Sequence, residues 1–232
     1  MPIWSEIALE IQSAKDPRAF DNVRRKYLVK LAQYTGRNTI LYSSRFTQPV
    51  RPDVQPDELS INDGDLQGLM ETLYGLKGDG LDLILHSPGG GLDAAEALVT
   101  YLHTKVHDLR VIVPHLAMSA ATLVACSARK VVLGKHSFLG PIDPQFVLYT
   151  PLGTRMVPAQ AVLEQFELAA RECQDQTRLA AWLPMLSLYG PDLLVQCRNA
   201  VRKSQELARQ WLRKYMFDGA PAAGRKAATL TR

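Results

Sequence analysis

Cysteine is scarce in this chain of 232 residues: Cys126, Cys173 and Cys197 are the whole set. They lie in apolar, helix-like stretches with no CxxC or Cys/His metal spacing. That excludes a disulfide framework and a zinc site, and it reads as reduced core residues in a cytosolic protein. Long hydrophobic runs are missing too. None approaches the roughly 18 apolar residues needed to span a bilayer, so no membrane span is expected. The opening MPIWSEIALEIQSAK has no basic start followed by an unbroken apolar stretch and does not read as a secretory leader. Neither sign of charge dominates: 27 basic against 23 acidic residues leave a formal net charge of +4, which bears on solubility more than on partners. A basic bias appears only at Arg202, Lys203, Arg209, Arg213 and Lys214. It is read as a solvated helix face, so no nucleic-acid partner is expected.

The composition is that of a globular protein, 47% hydrophobic and 22% charged, and the length suits one large domain with its own core. Residues 1–37 read as a helical segment broken at Asp16-Pro17, with proline placed in the first turn of a second helix. TILYSS (39–44) is a β-type run. A proline- and aspartate-rich stretch (48–58) follows, with no pattern that would bury it. Then a grammar repeats. DLQGLMETLYGL has helical spacing behind several N-cap candidates (60–63), and LDLILH (81–86) is a buried strand that runs through SPGGG into the helix LDAAEALVTYLHTKV. RVIVP (110–114) passes through HLAM into the small-residue helix SAATLVACSA. KVVL (130–133) leads to GKHSFLGPIDP. Strands alternating with helices of this length imply a mostly parallel sheet with right-handed crossovers. From about 158 the chain reads as helix, broken near Pro184 and at Gly190-Pro191. The working division is 1–37, a core at 38–157, and a helical region at 158–232. Residues 221–232 look like the first turns of a further helix that stops without a cap, either a domain that continues or a frayed tail.

Two turns could carry chemistry. His86-Ser87-Pro88-Gly89-Gly90-Gly91 sits where a strand ends and a helix begins, the edge at which open α/β sheets bind ligands. Glycines there admit a ligand close to the backbone, and free amides at the helix start favour negative charge. The GxxxxGK[ST] spacing of a nucleotide loop is absent. One unit later, Ala117-Met118-Ser119-Ala120-Ala121 places Ser119 at the same edge. Its hydroxyl could be a nucleophile favoured by the helix dipole, or simply an N-cap.

LILHSPGG, VPHLAMSAATLVACSA and GKHSFLGPIDPQ, in that order and spacing, resemble the serine dehydrogenase proteinase family of Clp-fold serine peptidases. They are more distantly similar to signal peptide peptidases and the Clp proteolytic subunit. The resemblance implies a Clp/crotonase-like α/β fold of repeated β-β-α units and a serine peptidase without metal or organic cofactor, acting on peptide or protein substrates as a homo-oligomer. It further implies Ser119 as nucleophile, with Gly89, Gly90 and Ala120 forming the oxyanion site and Gly140 pairing with substrate backbone. The proton acceptor is open. The position resembling the Clp subunit's histidine falls at or beside Asp143, which ranks first, with His115 and His136 behind it. No lysine occurs between Lys135 and Lys203 to serve instead. Two other readings stand beside this one: a fold-retaining scaffold without a base, and an acyl-CoA-handling enzyme using carboxylates such as Asp93 and Glu96. The apolar stripe Trp182, Leu183, Leu186 and Leu188 reads as core or as subunit interface.

Overall fold

A computed structural model describes residues 2–49, 51–150, 153–186 and 189–230. The central feature is a parallel sheet of four strands in the order β1 (Asn38–Ser43), β2 (Gly80–His86), β3 (Asp108–Val113) and β5 (Lys130–Leu133). Alternation along the strands decides what each face carries. Leu81, Leu83 and Leu85 of β2 and Leu109, Val111 and Val113 of β3 point to one side and are almost wholly buried. Against them packs α4 (Leu92–Lys105), whose Ala94, Ala95, Leu98, Val99 and Leu102 recur at helical spacing and form one buried stripe. Leu123 and Val124 of α5 (Ala120–Cys126) close the same core.

The chain repeats one unit along this sheet. A long strand is followed by a short second strand that leaves the main sheet, and then by a helix. After β3, β4 (Leu116–Ala117) precedes α5. After β5, β6 (Phe138–Leu139) pairs in parallel with β4. After β2, Ser87 bridges to Ala117, and Gly90 bridges to Ile61 before α4 begins. These secondary strands gather at the C-terminal edge of the sheet. The β-β-α unit that the resemblance implies is complete in β3, β4 and α5 and is reduced to bridges between β2 and α4; after β6 no helix follows directly. These segments bring separate loops to one place.

The opposite face has two different halves. Asp82 is completely buried between Arg37, 2.7 Å away, and Arg110, 2.5 Å away; Arg37 also binds Asp108. Farther along, Leu41, Ile84, Ile112 and Val132 stand in register across all four strands. Val132 keeps 38% of its surface exposed.

Helices α1 (Trp4–Ser13) and α2 (Ala19–Thr35) precede the sheet. The side chain of Asp16, not the ring of Pro17, supports the start of α2, accepting hydrogen bonds from Arg18 N (2.8 Å) and Asn22 Nδ2 (2.7 Å). The 48–58 stretch ends in a 3-10 turn, Pro56–Leu59, before α3 (Gly64–Leu73). An antiparallel hairpin, β7 (Gln145–Thr150) and β8 (Gly153–Pro158), follows β6 where sequence patterning identified no element. Next come α6 (Ala159–Glu172), α7 (Gln176–Leu186) and α8 (Leu193–Trp211). A π-helical turn (Leu212–Met216) and α9 (Ala223–Leu230) follow. Pro184 does not end α7, which runs on to Leu186. Nor does α7 supply core. It buries no residue, Leu183 is more than half exposed, and Trp182 donates to Glu172 at 3.0 Å. Leu188 lies outside the described residues. Of the cysteines only Cys197 is fully buried; Cys126 and Cys173 are partly so. No helix among the described residues is long and apolar enough to cross a membrane.

Candidate active site

Ser119 stands on the turn between β4 and α5 with φ +50° and ψ −121°. An L-residue at positive φ costs about 1–3 kcal/mol and persists only where its surroundings over-determine it. Here they do. Met118 N donates to Ser87 O (3.0 Å), Thr122 N to Ser119 O (2.9 Å), and Thr122 Oγ1 to Ala117 O (2.8 Å). The side chain of Ser119 makes no capping bond to α5. The simple N-cap reading of this serine therefore fails, and its hydroxyl is left for the cleft.

The glycine turn lies directly beneath. Gly89 adopts φ +95°, and a Cβ there would come within 2.5 Å of Met118 O and 2.8 Å of the Ser119 Cβ. Gly90 is excluded from carrying a side chain by Ile61, whose backbone would be met at 2.2 Å. Ile61 N donates to Gly89 O (2.7 Å) and Gly91 N to Ile61 O (2.8 Å), which leaves the Gly90 N–H facing the other way. Among the described residues, neither that N–H nor the N–H of Ala120 has an acceptor; Ala120 opens α5, where helix amides are unpaired by construction. Two free donors thus flank one serine. This is the arrangement that stabilises a tetrahedral oxyanion.

Ser119, Gly90 and Ala120 line a cleft of about 810 Å³. Pro141 to Phe146, including Asp143, form a further part of its wall. Three contacts hold that wall. Ser204 Oγ donates to Ile142 O (2.6 Å), Ala159 N donates to Pro144 O (2.7 Å), and the Gln160 amide at the start of α6 donates to the Asp143 carboxylate. Burial pushes the Asp143 carboxyl above its usual range, the Gln160 bond pulls it back, and the charge of Glu164 adds to the rise.

The other sequence candidates are placed elsewhere. His115 is exposed on the turn before β4, its ring stacked 5.6 Å from that of His86, and it does not reach the cleft. It sits four residues from Ser119, but β4 intervenes as an extended segment and separates them. His136 is exposed in the turn before β6, beside Gly134, at the far end of that short strand. Gly140 does not line the cleft either. Its N–H donates to Ala117 O (3.0 Å), and its carbonyl accepts from Thr122 Oγ1 (3.0 Å). The N–H is thus used within the fold, and the carbonyl shares the one Thr122 hydroxyl proton with Ala117 O. A Cβ at Gly140 would come within 2.4 Å of Met118 Cε, so the methionine side chain would have to shift. Gly89 packs against the serine turn without lining the cleft, whereas Gly90 lines it, as does Gly91. Asp93 lines the cleft, but it and Glu96 hold Lys203, Glu96 at 2.7 Å. Among the described residues, no lysine or arginine lines the cleft.

Sequence reasoning missed Asp57 and Asp63, which form part of the same wall as the glycine turn, and Phe146 and Met156 of the hairpin. The hairpin had a signal: QFVLYT and GTRMVP are short runs joined through a proline and a glycine. The two aspartates had none, because only the Ile61–Gly90 bridge draws their loop to the site.

Residues 71–184 match the model of a known family, described as ClpP-like SDH-type serine proteinase. The core of this chain matches a serine proteinase family. The matched segment contains Gly90, Ser119, Ala120 and Asp143. Two uncharacterized proteins of Methanocaldococcus jannaschii are similar. One is 38% identical over 102 residues, 44% of this chain and 33% of that protein. The other is 34% identical over 97 residues, 42% of this chain and 30% of that protein. The aligned part is thus about a third of the length of these curated relatives. Among solved structures, a ClpP1 point mutant from Listeria monocytogenes aligns over 80% of this chain and 83% of its own, at 13% identity and a TM-score of 0.35.

Proposed function

We propose that this protein is a serine peptidase. Ser119 Oγ attacks the scissile carbonyl carbon, and the carbonyl oxygen takes the negative charge between the Gly90 and Ala120 N–H groups. The Asp143 carboxylate accepts the serine proton and returns it to the leaving amine as the C–N bond breaks. Water then cleaves the acyl ester and restores the hydroxyl. The observation that carries this reading is the uncapped Ser119 at φ +50° beside two unpaired backbone donors. Asp143 supports it by lining the same cleft and by a carboxyl shifted toward a more basic range, as a working general base needs. Self-association is part of the proposal, supported by the in-register row Leu41, Ile84, Ile112 and Val132. A parallel sheet ordinarily has both faces covered.

One observation favours a second reading, a scaffold without catalysis: no histidine or lysine lines the cleft among the described residues. Labelling by a fluorophosphonate separates the two. The folded protein is expected to label at Ser119, to lose labelling in Ser119→Ala, and to slow by roughly 10²–10⁴-fold in Asp143→Asn. A general base works only when ionised. The labelling rate should therefore rise with pH, with its inflection above the ordinary aspartate value of about 4. A folded protein that does not label at any pH is a scaffold.

A further inference from the structure

The cleft that holds Ser119 is acidic although the chain as a whole is basic. Asp57, Asp63, Asp93 and Asp143 line it, and among the described residues no lysine, arginine or histidine does. Asp93 is partly offset by Lys203, which it shares with Glu96. The other three carboxylates have no cationic partner among the described residues. Arg155 precedes Met156 on β8, and strand alternation turns it to the face opposite the one Met156 presents to the cleft.

The placement of Asp57 and Asp63 gives this charge a direction. Both flank Ile61, whose backbone is bridged to Gly90. Asp63 is two residues from Ile61, so their Cα atoms are within about 7 Å of each other. Its side chain is exposed and makes no capping bond at the start of α3. Asp57 is exposed in the 3-10 turn four residues before Ile61. Asp143 lines the same cleft. A chain entering the cleft therefore meets several carboxylates near Ser119.

We infer that Asp57 and Asp63, which line the same cleft as Asp143 and Ser119, make this site select peptides that carry lysine or arginine close to the bond at Ser119. The inference rests on the peptidase reading and adds a substrate class to it. Exposed pairs of opposite charge contribute modestly and are screened by salt. Two of them amount to roughly a five- to tenfold preference at low ionic strength.

The test uses the full chain with Ser119→Ala, so that binding is read without turnover. Three fluorescent peptides of one sequence carry lysine, alanine or glutamate on both sides of the central bond, and anisotropy gives their Kd in low and high salt. The lysine peptide is expected to bind roughly five to ten times more tightly than the alanine peptide and more tightly still than the glutamate peptide. The gap should narrow in Asp57→Asn/Asp63→Asn and on raising salt past 0.5 M or so. It should persist in Glu71→Gln/Glu167→Gln, which removes the same charge from helix faces outside the cleft. Equal binding of the three peptides, binding of none, or a preference unaffected by the first double variant overturns the inference. Labelling of wild-type Ser119 judges the peptidase reading separately. A labelled serine with no charge preference removes the inference alone, and an unlabelled one removes the reading beneath it.

Discussion

Replacing Gly89 by alanine tests the site where its packing is tightest. The added Cβ would lie 2.5 Å from Met118 O, 2.8 Å from Ser119 Cβ and 3.0 Å from Ala120 N. A carbon–oxygen contact normally settles at about 3.3–3.6 Å, so the glycine turn and the serine turn must part by roughly 1 Å. Gly89 is also at φ +95°, where alanine adds a backbone cost of about 1–3 kcal/mol. Neither turn can yield cheaply. The serine turn is tied to Ser87 through Met118 N, and the glycine turn is tied to Ile61 on both sides. The expected loss of stability is about 2–5 kcal/mol, strain and overpacking together. The separation also moves the Gly90 donor away from the oxyanion. A misplacement of about 1 Å costs on the order of 10²-fold in rate. Urea unfolding followed by circular dichroism gives the first quantity, and the fluorophosphonate rate constant on still-folded protein gives the second. A variant with an unchanged midpoint and an unchanged labelling rate would refute the contact between the two turns and the donor role built on it.

Two further outcomes follow from the same geometry. Ser119→Gly removes the nucleophile and also the cost of a non-glycine residue at φ +50°. This variant should unfold at higher urea than wild type, by about 1 kcal/mol or less, while losing all labelling; a lower midpoint would contradict the strain argument. Asp82→Asn leaves two guanidinium groups around a neutral side chain and should cost about 3–5 kcal/mol in urea unfolding. In wild type, burial raises the Asp82 carboxyl, but Arg110 and Arg37 outweigh it and hold it below the usual range. Its stabilisation is therefore full above the ordinary aspartate value near 4 and fades as pH falls through the lower folded value. The difference between wild type and variant should shrink only in that acidic range, and a difference independent of pH would show that the charge is not what matters.

Most of the scaffold was readable because its signals are local. LDLILH and RVIV show a buried strand by their alternating leucines and valines, and LDAAEALVTYLHTK shows a helix by the spacing of Ala94, Leu98 and Leu102. The order glycine turn, then serine turn, at matching strand ends was enough to place the two turns together, since parallel strands bring all their C-terminal ends to one edge; the resemblance singled out Gly89, Gly90, Ser119 and Ala120 on them. The N-cap alternative for Ser119 could not be dismissed from sequence, because a capping serine and a nucleophilic one occupy the same position. Only the backbone dihedral and the missing cap bond separate them.

What tertiary structure decided depends on directions and on distant contacts. Proximity in sequence favoured His115 for the site, yet the extended β4 carries it to a stack with His86 instead. Gly140 fitted an edge that binds substrate, but the pleat turns its N–H and carbonyl inward, to Ala117 and Thr122. The acidic lining was invisible for the opposite reason. Asp57 and Asp63 belong to a stretch without periodicity, and they reach the cleft only because Ile61, between them, closes a bridge to Gly90. Sequence alone determined the elements and the edge at which they meet, since both follow from periodicity and chain direction. The fold decided which side chains face the cleft, because that depends on strand pleat and on hydrogen bonds between residues far apart in the chain.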